Sequence, residues 1–142
     1  MISIFKVRTL DVQPTQLYIS EDKLRTVDYA LRCCGSLALA PIPVVRWQDR
    51  LLLTEGHTRA LALYLLGEAE IRVYWETESI DWEMYRSCLN WCAEAGINTV
   101  ADLSQRVVSH ADFCERWIGL CERYYQTYCV PEKPIPLRFL TD

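Results

Sequence analysis

A short polar run between two apolar segments is the part of this chain whose residue types could do chemistry. It follows the apolar residues 51–54, leads directly into an alanine- and leucine-rich stretch, and consists of Glu55, Gly56, His57, Thr58 and Arg59. A strand that turns at a glycine into a helix leaves backbone N–H groups unpaired at the helix start, and these attract anions, most often phosphate. The run therefore predicts a phosphate-binding site in which Gly56 allows close backbone approach and Arg59 supplies a forked, charged donor.

The other side chains of the run offer further chemistry. His57 and Thr58 are expected to line the same site, and Glu55 and His57 are the candidate catalytic groups. Glu55 would repel a phosphate unless Mg²⁺ lies between them or unless its carboxylate serves a hydroxyl or a base. Each residue also has a structural interpretation, as a turn glycine, a buried histidine, or an arginine that is solvated or paired with Glu55.

The segments that must position this run predict a mixed α/β first half. A strand is expected within residues 2–10, and a helix that Ser20 caps and Gly35 closes. Residues 44–47 and 51–54 flank a turn at 48–50 and indicate a hairpin. A helix from Gly56 to Gly67 and a strand over residues 71–75 follow.

From residue 79 the periodicity becomes helical. Four residues recur on one face of a first helix, which Gly96 ends: Trp82, Tyr85, Leu89 and Cys92. Thr99 is expected to cap a short helix that carries Val100, Leu103 and Val107, and Ser109 to cap a longer one. The predicted organisation is thus an α/β domain over 1–76, a helical lobe over 77–130 and an extended, proline-containing tail over 131–142.

Composition limits the possible partners. The chain has 142 residues, 51% of them hydrophobic, and a net charge of −4. This charge disfavours non-specific binding to nucleic acid or anionic membranes, which requires an excess of Lys and Arg. No apolar run approaches the roughly 20 residues of a membrane span, and the first residues do not resemble a signal peptide. The sequence predicts a cytoplasmic protein.

The cysteines predict buried, reduced thiols. There are seven of them, an odd number, and no two are spaced as C-x-x-C. Cytosolic thiols stay reduced, and a free cysteine packs as a small hydrophobic residue. The spacings of zinc sites are absent and His57 and His110 are the only histidines, so we expect no bound metal at the cysteines.

Taken together, the segments of the first half resemble the ParB/sulfiredoxin superfamily. The resemblance rests on residues 12–14, 20–24, 43–45 and 51–54, on Gly56-x-x-Arg59, and on Gly67 before residues 71–73. In that fold a hairpin feeds a Gly-x-x-Arg turn whose helix start cradles the phosphates of a nucleotide. The resemblance implies an α+β protein with a small mixed sheet, flanking helices and a nucleotide site, followed here by a helical C-terminal lobe.

A position-by-position comparison of the motif indicates which activities of the superfamily are favoured here and which are disfavoured. Sulfiredoxins carry Gly-Cys-His-Arg with a catalytic cysteine, and His57 stands in that position here, which disfavours sulfinic-acid reduction. ParB clamp proteins carry Gly-Glu-Arg-Arg and bind CTP; in this chain His57 and Thr58 replace the Glu and the first Arg, while Arg59 keeps the last. A closer match is the Asp-Gly-His-His-Arg form of ParB-like proteins that include an ADP-dependent serine kinase, from which Glu55 and Thr58 differ. Mg²⁺-dependent phosphotransfer and nucleotide hydrolysis both remain open.

A non-catalytic protein is the alternative. The same fold could dock a protein partner or a second copy of the chain through its helical lobe. A helix–turn–helix interpretation of residues 93–125 is disfavoured as a specific DNA reader, because Glu115 and Glu122 alternate with Arg116 and Arg123.

Overall fold

A five-stranded mixed sheet with helices around it forms the centre of the computed structural model, which describes residues 2–128. The strands are β1 Phe5–Arg8, β2 Val12–Gln13, β3 Ile19–Ser20, β4 Ile42–Trp47, β5 Arg50–Leu53, β6 Glu70–Trp75 and β7 Val107–Val108. The helices are α1 Glu21–Cys34, α2 His57–Leu66, α3 Trp82–Glu94, α4 His110–Phe113 and α5 Gly119–Tyr128. Single 3₁₀ turns cover Thr9–Asp11 and Ser36–Ala38, a longer 3₁₀ segment covers Val100–Gln105, and a π-helical segment, Cys114–Ile118, joins α4 to α5.

The order of the large sheet is β1-β6-β4-β5-β2. β1 is antiparallel to β6, β6 is parallel to β4, β4 and β5 form the hairpin, and β2 is parallel to β5. A second, two-stranded sheet pairs β3 with β7 in parallel. The predicted α+β class, with its mixed sheet and flanking helices, is confirmed.

Local end signals explain where the helices begin and end. The Ser20 hydroxyl accepts a hydrogen bond from the Lys23 amide, and the Ser109 hydroxyl accepts one from the Asp112 amide. Gly35 and Gly67 end α1 and α2 at positive φ, where glycine carries no steric penalty. These four boundaries are confirmed.

Three predictions from the sequence were wrong in detail. The first strand is confined to Phe5–Arg8, because a 3₁₀ turn interrupts the chain, and residues 12–13 form a strand of their own that pairs with β5. The helix expected after Thr99 is a 3₁₀ helix, and Val107 lies in β7 opposite Ile19. The long helix after Ser109 contains a π-helical segment. Residues 129–142, which include the predicted tail, lie outside the described residues.

Buried residues from both halves of the chain share one hydrophobic cluster. It contains Leu61 and Val73 together with Cys88, Phe113 and Trp117, all of them nearly inaccessible to solvent. The Trp47 and Trp82 rings pack 5.0 Å apart between β4 and α3. The division of the chain at residue 76 stays a prediction. Within residues 2–128, no helix combines the length and the apolar character that a membrane span requires.

Candidate functional site

The turn between β5 and α2 depends on a glycine. Gly56 is the N-cap residue of α2 and lies in the left-handed region, with φ 81° and ψ 22°. A Cβ atom at this position would lie 2.9 Å from Cγ2 of Ile42 and 3.0 Å from Nη2 of Arg59. Both the backbone conformation and the close packing therefore require the missing side chain.

His57 is built into the scaffold. It is only 2% exposed, and its Nε2 accepts a hydrogen bond from the Thr15 amide at 2.9 Å. The Thr15 hydroxyl in turn donates to the Leu53 carbonyl at 2.7 Å. A backbone N–H can only donate, so Nε2 carries no proton and the neutral ring is protonated at Nδ1. Nε2 is thus occupied by a structural hydrogen bond and does not face a reacting group.

Arg59 lies across the first turn of α2. Its Nη1 donates to the carbonyls of Ala40 and Pro41, at 2.9 and 3.1 Å, and so holds the segment that leads into β4. Its Nη2 lies beside Gly56 and donates to no residue within 2–128. One terminal nitrogen of the guanidinium thus makes structural hydrogen bonds, and the other lies at the start of the helix.

Thr58 is the anomalous residue of the run. It is 4% exposed, and its Oγ1 is buried without a hydrogen-bond partner among the described residues. A buried hydroxyl that makes no hydrogen bond costs about 1–3 kcal/mol of stability. A ligand that reached this hydroxyl, in the first turn of the helix, could accept a hydrogen bond from it or donate one to it.

A helix from the second half braces the turn. The Tyr85 hydroxyl donates to the Thr54 carbonyl at 3.1 Å, and the Thr54 hydroxyl donates to Oε1 of Glu76 at 2.9 Å. The sequence placed Tyr85 in the core by its spacing, and no local signal indicated that its hydroxyl reaches the residue before Glu55. Helix α3 therefore fixes the start of the candidate loop.

The charges that act on Tyr74 are more negative than positive. The pKa of Tyr74 is raised, first by burial, then by the carboxylates of Glu76 and Glu55, and finally by Glu78, while Arg59 lowers it. One cation therefore acts on this ring together with three carboxylates. No three His, Cys, Asp or Glu side chains within residues 2–128 are arranged to hold a metal ion.

Three other basic side chains of the first half have contacts away from the start of α2. Lys23 lies over the Phe113 ring at 4.7 Å, Arg46 over the Trp75 ring at 5.5 Å, and Nη2 of Arg50 donates to the Gln13 side chain. Three acids of the first half form surface ion pairs: Asp11 with Arg8, and both Glu21 and Asp22 with Arg25. A cavity of about 400 Å³ lies beside the other end of α2, near Tyr64 and Gly67.

Six of the cysteines lie within the described residues, and all six are free thiols. Three of them, Cys88, Cys92 and Cys121, are buried, and burial raises their pKa values, that of Cys92 to about 12. Cys33 and Cys34 are exposed, so the prediction that the thiols are buried was wrong for these two. They occupy the last turn of α1, at its exposed end.

No protein-family model matches the sequence, and a comparison with curated proteins also finds no match. Solved structures do match. Protein Atu1540 from Agrobacterium tumefaciens is similar over 94% of this chain and 75% of its own, with a TM-score of 0.56 and 16% identity. At this level of identity the match shows a shared fold.

Two ParB structures are also similar. A Pnob8-like ParB-N domain matches over 90% of this chain and 51% of its own, with a TM-score of 0.46 and 14% identity. The C-terminally truncated ParB from Caulobacter crescentus, complexed with CTP-γ-S, matches over 88% and 70%, with a TM-score of 0.46 and 16% identity. The solved structures that are similar to this chain thus include ParB proteins, and these similarities assign no ligand to this chain.

Proposed function

We propose that this protein binds the phosphate group of a small ligand, such as a nucleotide, at the start of α2. The observation that carries the proposal is the buried Thr58 hydroxyl, which makes no hydrogen bond within residues 2–128. It lies in the first turn of a ten-residue helix, where the unpaired N–H groups and the helix dipole favour an anion. A phosphate oxygen would supply the missing partner.

Two neighbours support the same ligand chemistry. Gly56 is the left-handed N-cap of α2 and makes no side-chain capping bond, so backbone N–H groups of the first turn remain as donors for a ligand. Nη2 of Arg59 lies next to Gly56 and is available for a charge-assisted hydrogen bond, while Nη1 keeps its two carbonyl partners. The ligand would thus meet a hydroxyl, backbone amides and one guanidinium nitrogen.

The charges nearby limit which phosphate ligands fit. Glu55, Glu76 and Glu78 act on the same tyrosine as Arg59, and we expect these carboxylates to disfavour a ligand with several negative charges. A nucleoside monophosphate should therefore bind more tightly than a triphosphate without Mg²⁺. Any Mg²⁺ would arrive with the ligand's phosphates, because the protein offers no preformed group of ligands within residues 2–128.

The proposal is limited to binding. Nε2 of His57 is engaged by Thr15, which removes the histidine as a base at that nitrogen. Glu55 is the remaining candidate for a reacting group in phosphotransfer or nucleotide hydrolysis. Product analysis of each bound nucleotide, with and without Mg²⁺, separates binding from catalysis.

The test begins with thermal unfolding in the presence of AMP, ADP, ATP, CTP and GTP, each with and without Mg²⁺. A ligand that binds only the folded protein raises the unfolding temperature. Isothermal titration then gives the affinity of each positive ligand. If no compound binds at millimolar concentration, the proposed function is wrong.

Thr58→Val is the decisive variant, because it keeps the shape of the side chain and removes the hydroxyl. Stability should stay the same or rise by about 1 kcal/mol, since an unpaired buried polar group is lost. Affinity for the ligand should fall about fivefold to tenfold. Thr26→Val is the matched control, because Thr26 lies on exposed α1 and its hydroxyl donates within the helix to Asp22. Equal affinities of Thr58→Val and wild type would contradict the proposed role of the hydroxyl.

A further inference from the structure

Two arginines lie against one tyrosine ring on a different part of the molecule. The guanidinium carbon of Arg106 lies 4.3 Å from the centroid of the Tyr18 ring, and that of Arg116 lies 5.8 Å from it. Tyr18 is half-buried, between β2 and β3, and Arg116 is exposed. One aromatic side chain therefore lies in contact with two positively charged side chains.

Arg106 is held firmly in place. Its Nε donates to the Leu17 carbonyl at 3.0 Å, and its own carbonyl accepts from the Ile19 amide at 3.0 Å. Its amide donates to the Leu103 carbonyl at 2.9 Å. The side chain is thus anchored at Nε and by the backbone on both sides, which leaves its two terminal nitrogens as a preorganised fork.

Arg116 comes from the π-helical segment between α4 and α5. π-Helical turns inside helices are rare and occur frequently at functional sites, because they change the direction of the side chains they carry. In this chain the segment brings Arg116 to the Tyr18 ring, far from it in sequence. The irregular backbone and the arginine pair are two separate observations at one place.

No carboxylate within residues 2–128 forms an ion pair with either arginine. The arginines that form ion pairs in this part of the chain are Arg8, Arg25 and Arg32. Two like charges beside one ring repel each other, and an anion that contacted both would offset that repulsion. The cation–π contact with the ring offsets only part of this repulsion.

We propose that Arg106 and Arg116 bind a single phosphate group beside the Tyr18 ring, at a site separate from the start of α2. Tetrahedral phosphate accepts hydrogen bonds from two guanidinium forks at once, which suits a pair of arginines better than a pair of lysines. The net charge of −4 disfavours a nucleic-acid strand as the ligand. The ligand class is therefore a phosphate monoester or free phosphate.

The test is an NMR titration that follows the arginine Nε–Hε resonances of the full chain as inorganic phosphate is added. Chloride at equal ionic strength is the reference. We expect the Arg106 and Arg116 signals to shift and saturate with phosphate only. A second titration with phenyl phosphate separates the two sources: tighter binding assigns a monoester, and equal binding assigns free phosphate. Shifts that never saturate, or that chloride reproduces, would overturn the proposal.

Arg116→Gln tests the pair without disturbing the anchored Arg106. Phosphate affinity should fall at least fivefold, whereas Arg32→Gln should leave it unchanged, because Arg32 is an exposed helix residue paired with Asp28. Unchanged affinity in Arg116→Gln would show that the arginines only stack on the ring. Folding is checked in the same spectra by the dispersion of the backbone amide signals.

The titration also separates this site from the proposed nucleotide site. Saturable shifts at Gly56 and Thr58 alone would support the start of α2 and refute the arginine pair. Shifts at Arg106 and Arg116 alone would support the pair and leave the start of α2 without a phosphate. Each outcome therefore decides between the two sites.

Discussion

The start of α2 differs from the surface formed by Tyr18, Arg106 and Arg116, here called the Tyr18 surface, in how its polar residues are used. At the start of α2, the sequence indicates His57 and Arg59 as functional residues, yet both make structural hydrogen bonds. His57 accepts from the Thr15 amide, and Arg59 donates to the two carbonyls that precede β4. At the Tyr18 surface, Arg116 looks like one charge of a mixed helix, yet it has no ion-pair partner within residues 2–128. A motif therefore indicates which groups a fold supplies, and packing decides which of them remain available for a ligand.

One short segment connects the two regions. Thr15 bonds to His57, and two residues later Leu17 accepts from Arg106. Variants at either region therefore report on the same stretch of backbone. Variants at Gly56, His57, Arg59 and Glu55 test how strictly the groups that build the scaffold are separated from those left for a ligand.

The largest effect is expected for Gly56→Ala. A left-handed conformation costs an alanine about 1–2 kcal/mol, and the contact with Ile42 should add about 1–3 kcal/mol. Gly67→Ala is the matched control, because Gly67 also has a positive φ but no heavy atom lies within 4 Å of its Cβ position. Urea unfolding of both variants measures the difference. Equal losses would mean that Ile42 moves aside and that Gly56 is needed for its φ alone.

His57→Leu should cost about 1–3 kcal/mol of stability, because the buried Thr15 amide loses its acceptor. His110→Leu should cost less, since His110 is exposed and bonds only to the Ser20 hydroxyl and the Cys114 thiol. Thermal and urea unfolding measure both. A His57 variant with wild-type stability and lost nucleotide binding would instead place the ring in the ligand site.

Arg59→Ala should lower stability by about 1 kcal/mol, since two carbonyls lose a charged donor at a half-exposed position. Nucleotide affinity should fall about tenfold or more, because Nη2 is removed as well. Arg116→Ala should change stability by less than about 0.5 kcal/mol, as for an ordinary surface residue. Equal stability losses in the two variants would contradict the distinction between Arg59 as a structural residue and Arg116 as a residue available to a ligand.

The smallest effect concerns the charge around the loop. Glu55→Gln removes a carboxylate that raises the pKa of Tyr74, so that pKa should fall toward its ordinary value. An NMR pH titration of protein with ¹³C-labelled tyrosine measures it, with Tyr74→Phe assigning the signal. An unchanged pKa would show that the Glu55 charge does not reach the ring, and the preference for ligands with few charges would lose its basis.

The sequence by itself determined the features that depend on neighbouring residues. Ser20 and Ser109 cap their helices, and Gly56 and Gly67 bracket α2, because capping and positive φ are settled within a few residues. The hairpin of β4 and β5 was equally clear, since its turn lies between two apolar runs. These local signals were enough to predict an α+β protein with a small mixed sheet and flanking helices.

Only the tertiary structure decided the contacts between distant segments. β2 pairs with β5, β3 pairs with β7, and Tyr85 reaches Thr54 across 31 positions of sequence. The partner of His57 and the meeting of Arg106 with Arg116 at Tyr18 belong to the same class. Residue type and periodicity show which face of an element is apolar. They do not show which other element covers it, because that depends on how all the elements pack around one core.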